Sequence, residues 1–387
     1  MKSELKFWSI STLLLGLLML LLAWGFSQWH LQGFTRSVGD RLQLLSELRQ
    51  NALQRYFSTA EAELKFWSTS PQILESQQSF NELWQSQEPE QFLAEIRSAY
   101  IDNNPHPDGD LRKLNRADEA PYSQLHAALH DTTRRFVTER GYYDVFLIGN
   151  DGTVFYTVEK EQDFGTNLLT GEWRNSSLAD IYRRARGQTG SVAMSDFQAY
   201  EPSNGAPAIF LGKSISSPDG EPLGVIVFQL PTEEILDIMG YTAGMGETGE
   251  TYVVGEDYLM RSASRFSETS TVLQQRVETE SVVKALAGEE GVDLITDYRG
   301  VEVLSAYSAI DLGSTKWAVL AEIDRQEIIS AAANERPEIA TALTFLFGLS
   351  FWSIWYWRGR QLTELAVDLP PLDHSGSHFG DDSSMGG

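Results

Sequence analysis

From residue 7 to residue 35 the chain carries no Asp, Glu, Lys or Arg, and the centre of that stretch reads Leu13-Leu14-Leu15-Gly16-Leu17-Leu18-Met19-Leu20-Leu21-Leu22. An apolar run of about twenty residues crosses a bilayer as a helix, because hydrocarbon offers backbone N–H and C=O groups no partner outside the segment. A second run without charge covers 339–357, between Glu338 on one side and Arg358 and Arg360 on the other. Spans are therefore expected at 9–30 and 339–357. Lys2 and Lys6 precede the first, and Arg358 and Arg360 follow the second. Basic flanks stay in the cytoplasm, which predicts a cytoplasmic N-terminus (1–8), a cytoplasmic tail (358–387) and an outside segment, 31–335. Trp8, Trp24, Trp29, Trp352, Trp355 and Trp357 lie where interfacial aromatics belong. Ala23-Trp24-Gly25 is a poor cleavage site, so the first span reads as an uncleaved anchor.

Composition narrows the remainder. Of 387 residues 42% are hydrophobic, enough for a large core. Acidic residues outnumber basic ones 54 to 30, and the net charge of −24 repels phosphate, so no nucleic-acid partner is expected. Without cysteine there is no disulfide framework, thiolate catalysis or cysteine-ligated metal.

Leu31, Phe34, Val38, Leu42, Leu45, Leu48, Ala52 and Tyr56 recur at steps of three or four. This amphipathic stripe leaves the membrane and either packs on its own domain or meets its twin in a homodimer. Farther on the chain repeats itself. Phe146-Leu147-Ile148-Gly149-Asn150-Asp151 parallels Tyr252-Val253-Val254-Gly255-Glu256-Asp257, and Met194-Ser195-Asp196-Phe197 parallels Ile295-Thr296-Asp297-Tyr298. A third match joins 225–235 to 318–328, and the offsets of 106, 101 and 93 residues keep their order. Two copies of one module follow. Each shows strands broken by Gly, Pro and Asp turns, with one helix, at 178–185 and at 281–286. The fold class is α+β: a long N-terminal helix, then two tandem PAS-like antiparallel modules, between two transmembrane helices.

The pattern resembles the double Cache sensor domain of bacterial methyl-accepting chemotaxis receptors and membrane-anchored cyclases. The resemblance rests on Tyr100-Ile101-x-x-Asn104-Pro105-His106-Pro107, Glu139-Arg140-Gly141-Tyr142-Tyr143-Asp144 and Tyr156-Thr157-Val158-x-Lys160-Glu161. Gly244-x-Gly246-Glu247-Thr248-Gly249-Glu250-Thr251-Tyr252 and Asp297-Tyr298-Arg299-Gly300 extend it. It implies a helical segment at 31–140, a membrane-distal module at 141–240 and a proximal module at 241–335. It also implies a periplasmic, inner-membrane sensor or sensor subunit that binds a small molecule and signals through a separate cytoplasmic or membrane partner. The alternative is a scaffold subunit contacting another envelope protein. The tail after Trp357 shows no methyl-accepting hairpin, cyclase or kinase pattern and reads as disordered.

No enzyme signature stands out, and no cofactor or metal is expected. Gly244-Met245-Gly246-Glu247-Thr248-Gly249 fits the dinucleotide fingerprint in letters. A β-run follows it where a helix should, so it reads as a turn. His374 and His378 have ligand spacing but lie among Ser and Gly. The candidate ligand residues lie in the distal module. Tyr143, Tyr156, Trp173 and Tyr182 are expected to form an aromatic wall, Asp196 and Glu201 to hold a cationic group, and Asn204 to supply amide hydrogen bonds. Asp196 has a counterpart in Asp297, which also suits a structural role. Amino-acid-binding members of the family carry an Arg and a Trp-Tyr pair before a later Asp. Glu201 stands where that Asp would be, Trp173-Arg174 is the nearest approach to the rest, and amino-acid specificity does not follow.

Overall fold

The stripe that leaves the first apolar run becomes part of one helix, α1 (Lys2–Ser68), in the computed structural model, which describes residues 2–106, 110–188, 190–334 and 337–367. The chain falls into two units, one of residues 35–328 and one formed by the end segments 1–34 and 329–387.

Within 35–328, α1 ends at Ser68, and Ser70 caps α2 (Pro71–Gln85) by accepting the Ile73 N–H. Pro71 opens that helix at a position whose N–H would have no partner anyway. Next come α3 (Pro89–Arg97) and α4 (Pro121–Arg140), the latter stopped by Gly141 at φ 72°. The first sheet follows: β1 (Asp144–Gly149), β2 (Val154–Thr157), then α5 (Ser177–Gly187), β3 (Ala193–Met194), β4 (Gln198–Tyr200), β5 (Ala206–Ser216) and β6 (Pro222–Leu230). Its order is β2-β1-β6-β5-β3, with β4 also on β5, all antiparallel. A short helix, α6 (Glu233–Gly240), leads to β7 (Glu250–Val254), α7 (Glu280–Leu286), β8 (Gly291–Thr296), β9 (Glu302–Asp311), β10 (Lys316–Asp324) and α8 (Arg325–Asn334). The second sheet runs β7-β10-β9-β8.

The two sheets share one path. β1-β6-β5-β3 corresponds strand for strand to β7-β10-β9-β8, with α5 and α7 in equivalent places. The repeated motifs fall on matching strands: β1 on β7, the end of β3 on the end of β8, and β6 on β10.

Strand alternation divides the core. Val145, Leu147, Ile226 and Phe228 face the side that packs with Leu53, Phe57, Ala60 and Leu64 of α1 and with α2 and α4. Val253, Val319 and Trp317 of the second sheet join the same cluster. On the opposite faces, α5 covers Phe146, Phe210, Val225 and Val227, while α7 covers Tyr252, Val254 and Leu320. Each such buried side chain stabilises the fold by about 1.5–3 kcal/mol.

The α1 stripe seats on its own chain. Val38 and Leu42 are buried, Ser46 Oγ lies 3.3 Å from Ser308 Oγ, and the Gln50 amide donates to the Ala309 carbonyl at 2.9 Å. Gly39 permits the approach, since a Cβ there would come within 3.2 Å of Val292 Cγ1. Leu48, expected in the stripe, lies instead with Leu44 on another side of the helix and stays exposed.

In the other unit, α1 from Leu13 onward is the one helix among the described residues long and apolar enough to cross a membrane. Leu13, Leu20, Trp24 and Trp29 are all exposed there. The second expected span lies in α9 (Pro337–Val367), where Phe345, Trp352 and Trp355 are exposed. The tail from 368, with His374 and His378, is outside the described residues.

Candidate functional site

Asp144 is the first residue of an otherwise apolar strand and lies directly across from Gln229 of β6. Both side chains leave the sheet on the face that carries α5, and both are buried. The loop after β2 brings Glu161 and Asp163 to the same place. Tyr143 and Ser203 donate to the two oxygens of Glu161 at 2.6 Å each, and Gln229 Nε2 donates to Ser203 Oγ at 3.3 Å. Tyr200 donates to Asp163 Oδ2.

Acceptors outnumber donors in this cluster. Asp144 Oδ1 takes the amides of Val145, Val158 and Glu159, but among the described residues Asp144 Oδ2, Asp163 Oδ1 and Gln229 Oε1 are buried without a hydrogen-bond partner. Among the described residues no ion pair joins Asp144, Glu161 or Asp163 to a cation. Lys160, which is buried nearby at φ 59°, spends its Nζ on the Val158 carbonyl at 3.1 Å and lies 3.4 Å from His130 Nε2. Burial lifts the carboxyls, Asp163 to about 7 and Asp144 and Glu161 also upward, and lowers Lys160 to about 7. A buried group of acceptors that enters no ion pair among the described residues is suited to a guest rich in N–H donors.

The sequence matches the Cache domain family over residues 32–332. The chain belongs to that family. Its Cache domain is similar to the ligand-binding domain of the Campylobacter jejuni chemoreceptor Tlp3, solved with 4-methylisoleucine: 12% identity, 76% of this chain and 94% of that one covered, TM-score 0.47. The ligand-binding domains of the Pseudomonas aeruginosa chemoreceptors PctB, solved with L-Arg, and PctC, solved with GABA, also match. PctB gives 14% identity, 76% and 97% coverage and a TM-score of 0.42, and PctC 13%, 74%, 100% and 0.42. No curated protein matches the chain.

Of the seven residues proposed from the sequence, Tyr143 enters this cluster in the Cache domain, through Glu161. Glu201 and Asn204 are exposed on the turn beside Ser203, with Asn204 at φ 56°. Tyr156 and Tyr182 cannot wall one pocket, because they serve different cores. Tyr156 is on the helical side, 2.9 Å from His130 Nδ1, while Tyr182 belongs to α5 on the opposite face and donates to the Gly149 and Asn150 carbonyls. Trp173 is partly buried and donates to the Gln162 carbonyl at 3.2 Å. Asp196, expected to hold a ligand's cation, holds one of the chain's own. Arg261 donates to both its oxygens, and Trp317 Nε1 and Thr315 Oγ1 donate as well, at 2.9 and 3.1 Å.

Asp163, Tyr200, Ser203 and Gln229 carry no motif or spacing that marks them in the sequence, and Asp144 and Glu161 lie in matched segments without a role attached to them. A signal for Asp144 was present: a carboxylate opening an apolar strand, with Glu250 at the same 106-residue offset in the second copy.

The glycine-rich turn is filled from within. Glu327 accepts the amides of Glu247 and Thr248 at 3.0 and 2.8 Å, together with the Thr248 hydroxyl. A side-chain carboxylate thus occupies the concavity that a phosphate would need.

Proposed function

We propose that this Cache domain is the input of a two-span inner-membrane sensor, and that its first module binds a small extracytoplasmic molecule through a cationic amine. The buried, unpaired oxygens of Asp144, Asp163 and Gln229 carry the reading of ligand class, because a primary ammonium group brings three N–H donors and the missing charge. Tyr143, Tyr200 and Ser203 already donate to the carboxyls around it and would hold them in place. Binding would favour one arrangement of the terminal helices over another, and only a difference in affinity between the two can drive the shift. A separate signalling partner would read that shift.

Calorimetric titration of the purified full chain tests the ligand class. Protein-forming α-amino acids and small primary amines should bind, and their N-acetylated analogues should not. Asp163→Asn should weaken binding roughly tenfold or more, as loss of a charged hydrogen bond of about 1.5–3 kcal/mol requires. Equal binding of free and acetylated amines would defeat the assignment. Topology has its own test: a reporter fused after Gly387 should be active in the cytoplasm, and one inserted at Asp108-Gly109 should be active outside. A cytoplasmic signal from the insertion would remove the sensor reading.

A further inference from the structure

We infer that the second, membrane-proximal module carries a ligand site of its own for a primary ammonium group, where Glu250 of β7 and Glu322 of β10 meet on the face beneath Tyr298. The inference rests on residues separate from those of the first module and stands whether or not that cluster binds anything.

The strand register brings the groups together. Glu322 is directly opposite Glu250 on one side and Ser305 on the other. Tyr252, two residues along β7, points from the same face. Directly opposed residues in an antiparallel pair hold their Cβ atoms about 4.5–5.5 Å apart. Two carboxylates so placed, each 3% exposed, cannot both carry charge without a cation between them.

Elsewhere the fold supplies that cation. Arg261 holds Asp196, and Arg299 bridges Asp297 and Asp324 at 2.6 Å to each. Glu250 and Glu322 receive none: among the described residues neither is in an ion pair, and the Arg265 guanidinium is turned to the Gly249 carbonyl. Glu250 is steadied by the Tyr298 hydroxyl at 2.8 Å and the Arg265 amide at 3.3 Å. Among the described residues Glu322 Oε1, Tyr252 Oη and Ser305 Oγ are buried with no hydrogen-bond partner of good geometry. The Ser305 and Tyr252 hydroxyls both face the Glu322 carboxyl as donors and lower it against the effect of burial, but neither approaches it in good hydrogen-bonding geometry. A carboxylate oxygen flanked by two hydroxyl oxygens offers three acceptors to the three N–H bonds of an ammonium group.

The duplication shows how this site arose. Glu250 and Glu322 occupy the places of Asp144 and Gln229, so both copies keep a buried acid at the head of the first strand. Across from Gln229 the first module has Phe210, whereas across from Glu322 the second has Ser305. Exchanging a phenyl ring for a hydroxymethyl group leaves less side-chain volume and one more polar atom.

Calorimetry on the full-length chain in detergent tests this, in an Asp163→Asn background that weakens the first site. The probes are methylammonium, ethanolamine and putrescine, with tetramethylammonium as a cation that has no N–H. At least one primary amine should bind with one site per chain, and tetramethylammonium should not. Adding Glu322→Gln should lower affinity at least tenfold, and Tyr252→Phe several-fold. If Glu322→Gln fails to fold, Tyr252→Phe and Ser305→Ala carry the comparison. Identical isotherms with and without these changes, or no binding by any primary amine, would mean that the cluster holds only a shared proton or trapped water, and would overturn the inference. Failure of the first-module reading looks different: Asp163→Asn alone would leave the wild-type isotherm unaltered.

Discussion

Arg261 grips Asp196 with two parallel hydrogen bonds, Nε to Oδ1 at 3.0 Å and Nη2 to Oδ2 at 2.8 Å, and so ties the end of the first sheet to the loop after β7. Arg261 is 2% exposed, and its guanidinium also reaches Asp257 at 2.9 Å. Burial alone would raise the Asp196 carboxyl, but Arg261, the Phe197 amide and the Trp317 indole outweigh it and hold the group below its usual range. Asp196 therefore couples the modules.

Asp196→Asn should destabilise the chain by roughly 3 kcal/mol, because it leaves a buried guanidinium short of its partner. Arg261→Met should cost a similar amount, and the double variant less than the sum of the two. Urea unfolding of the three proteins checks this. Since the folded carboxyl is the more acidic, its contribution is present above the unfolded value of 3.8 and is lost as the pH falls through the lowered folded value.

Asp163 and Glu322 behave in the opposite sense. Burial raises each to about 7 from 3.8 and 4.5. The folded chain then holds more protons than the unfolded one across that window, so these two groups cost stability as the pH rises through it. Buried His126 and His130, both lowered, pull the total the other way, so the test is a difference. Asp163→Asn/Glu322→Gln should gain on wild type by a few kcal/mol between pH 5 and pH 7.5. A constant difference in unfolding free energy across that range would count against it.

Gly246 has φ 73°, and a Cβ there would fall 2.1 Å from Glu327 Oε1, which the Glu247 and Thr248 amides hold in place. Gly246→Ala should therefore destabilise by roughly 1–3 kcal/mol, combining left-handed strain with displacement of the carboxylate. Glu327→Ala should relieve part of that cost in the double variant. Thermal unfolding of both proteins decides the matter.

Labelling distinguishes the two sides of α1, and the cysteine-free background makes each introduced thiol unique. Leu42→Cys should resist maleimide in the folded chain, while Leu48→Cys should react readily. Equal labelling would show that α1 does not seat on the second sheet. With Leu42 protected, any two-fold seam between copies has to use the Leu44 and Leu48 side rather than the buried stripe.

Periodicity and repetition in the sequence determined the apolar N-terminal run, the long helix, the two copies and the strand, helix and turn character of each. These are properties of neighbours a few residues apart, or of matched segments at fixed offsets. Which carboxylates would find a cation depended on tertiary structure alone. Asp196 and Asp144 read alike as isolated acids, yet the first meets Arg261 from 65 residues away, and the second meets Gln229 across a strand and, among the described residues, enters no ion pair. Tyr156 and Tyr182 looked like one aromatic wall until the sheet placed them in separate cores. A side chain's chemistry is written in its letter, but its charge partner and its face of the sheet are fixed only when distant strands pair.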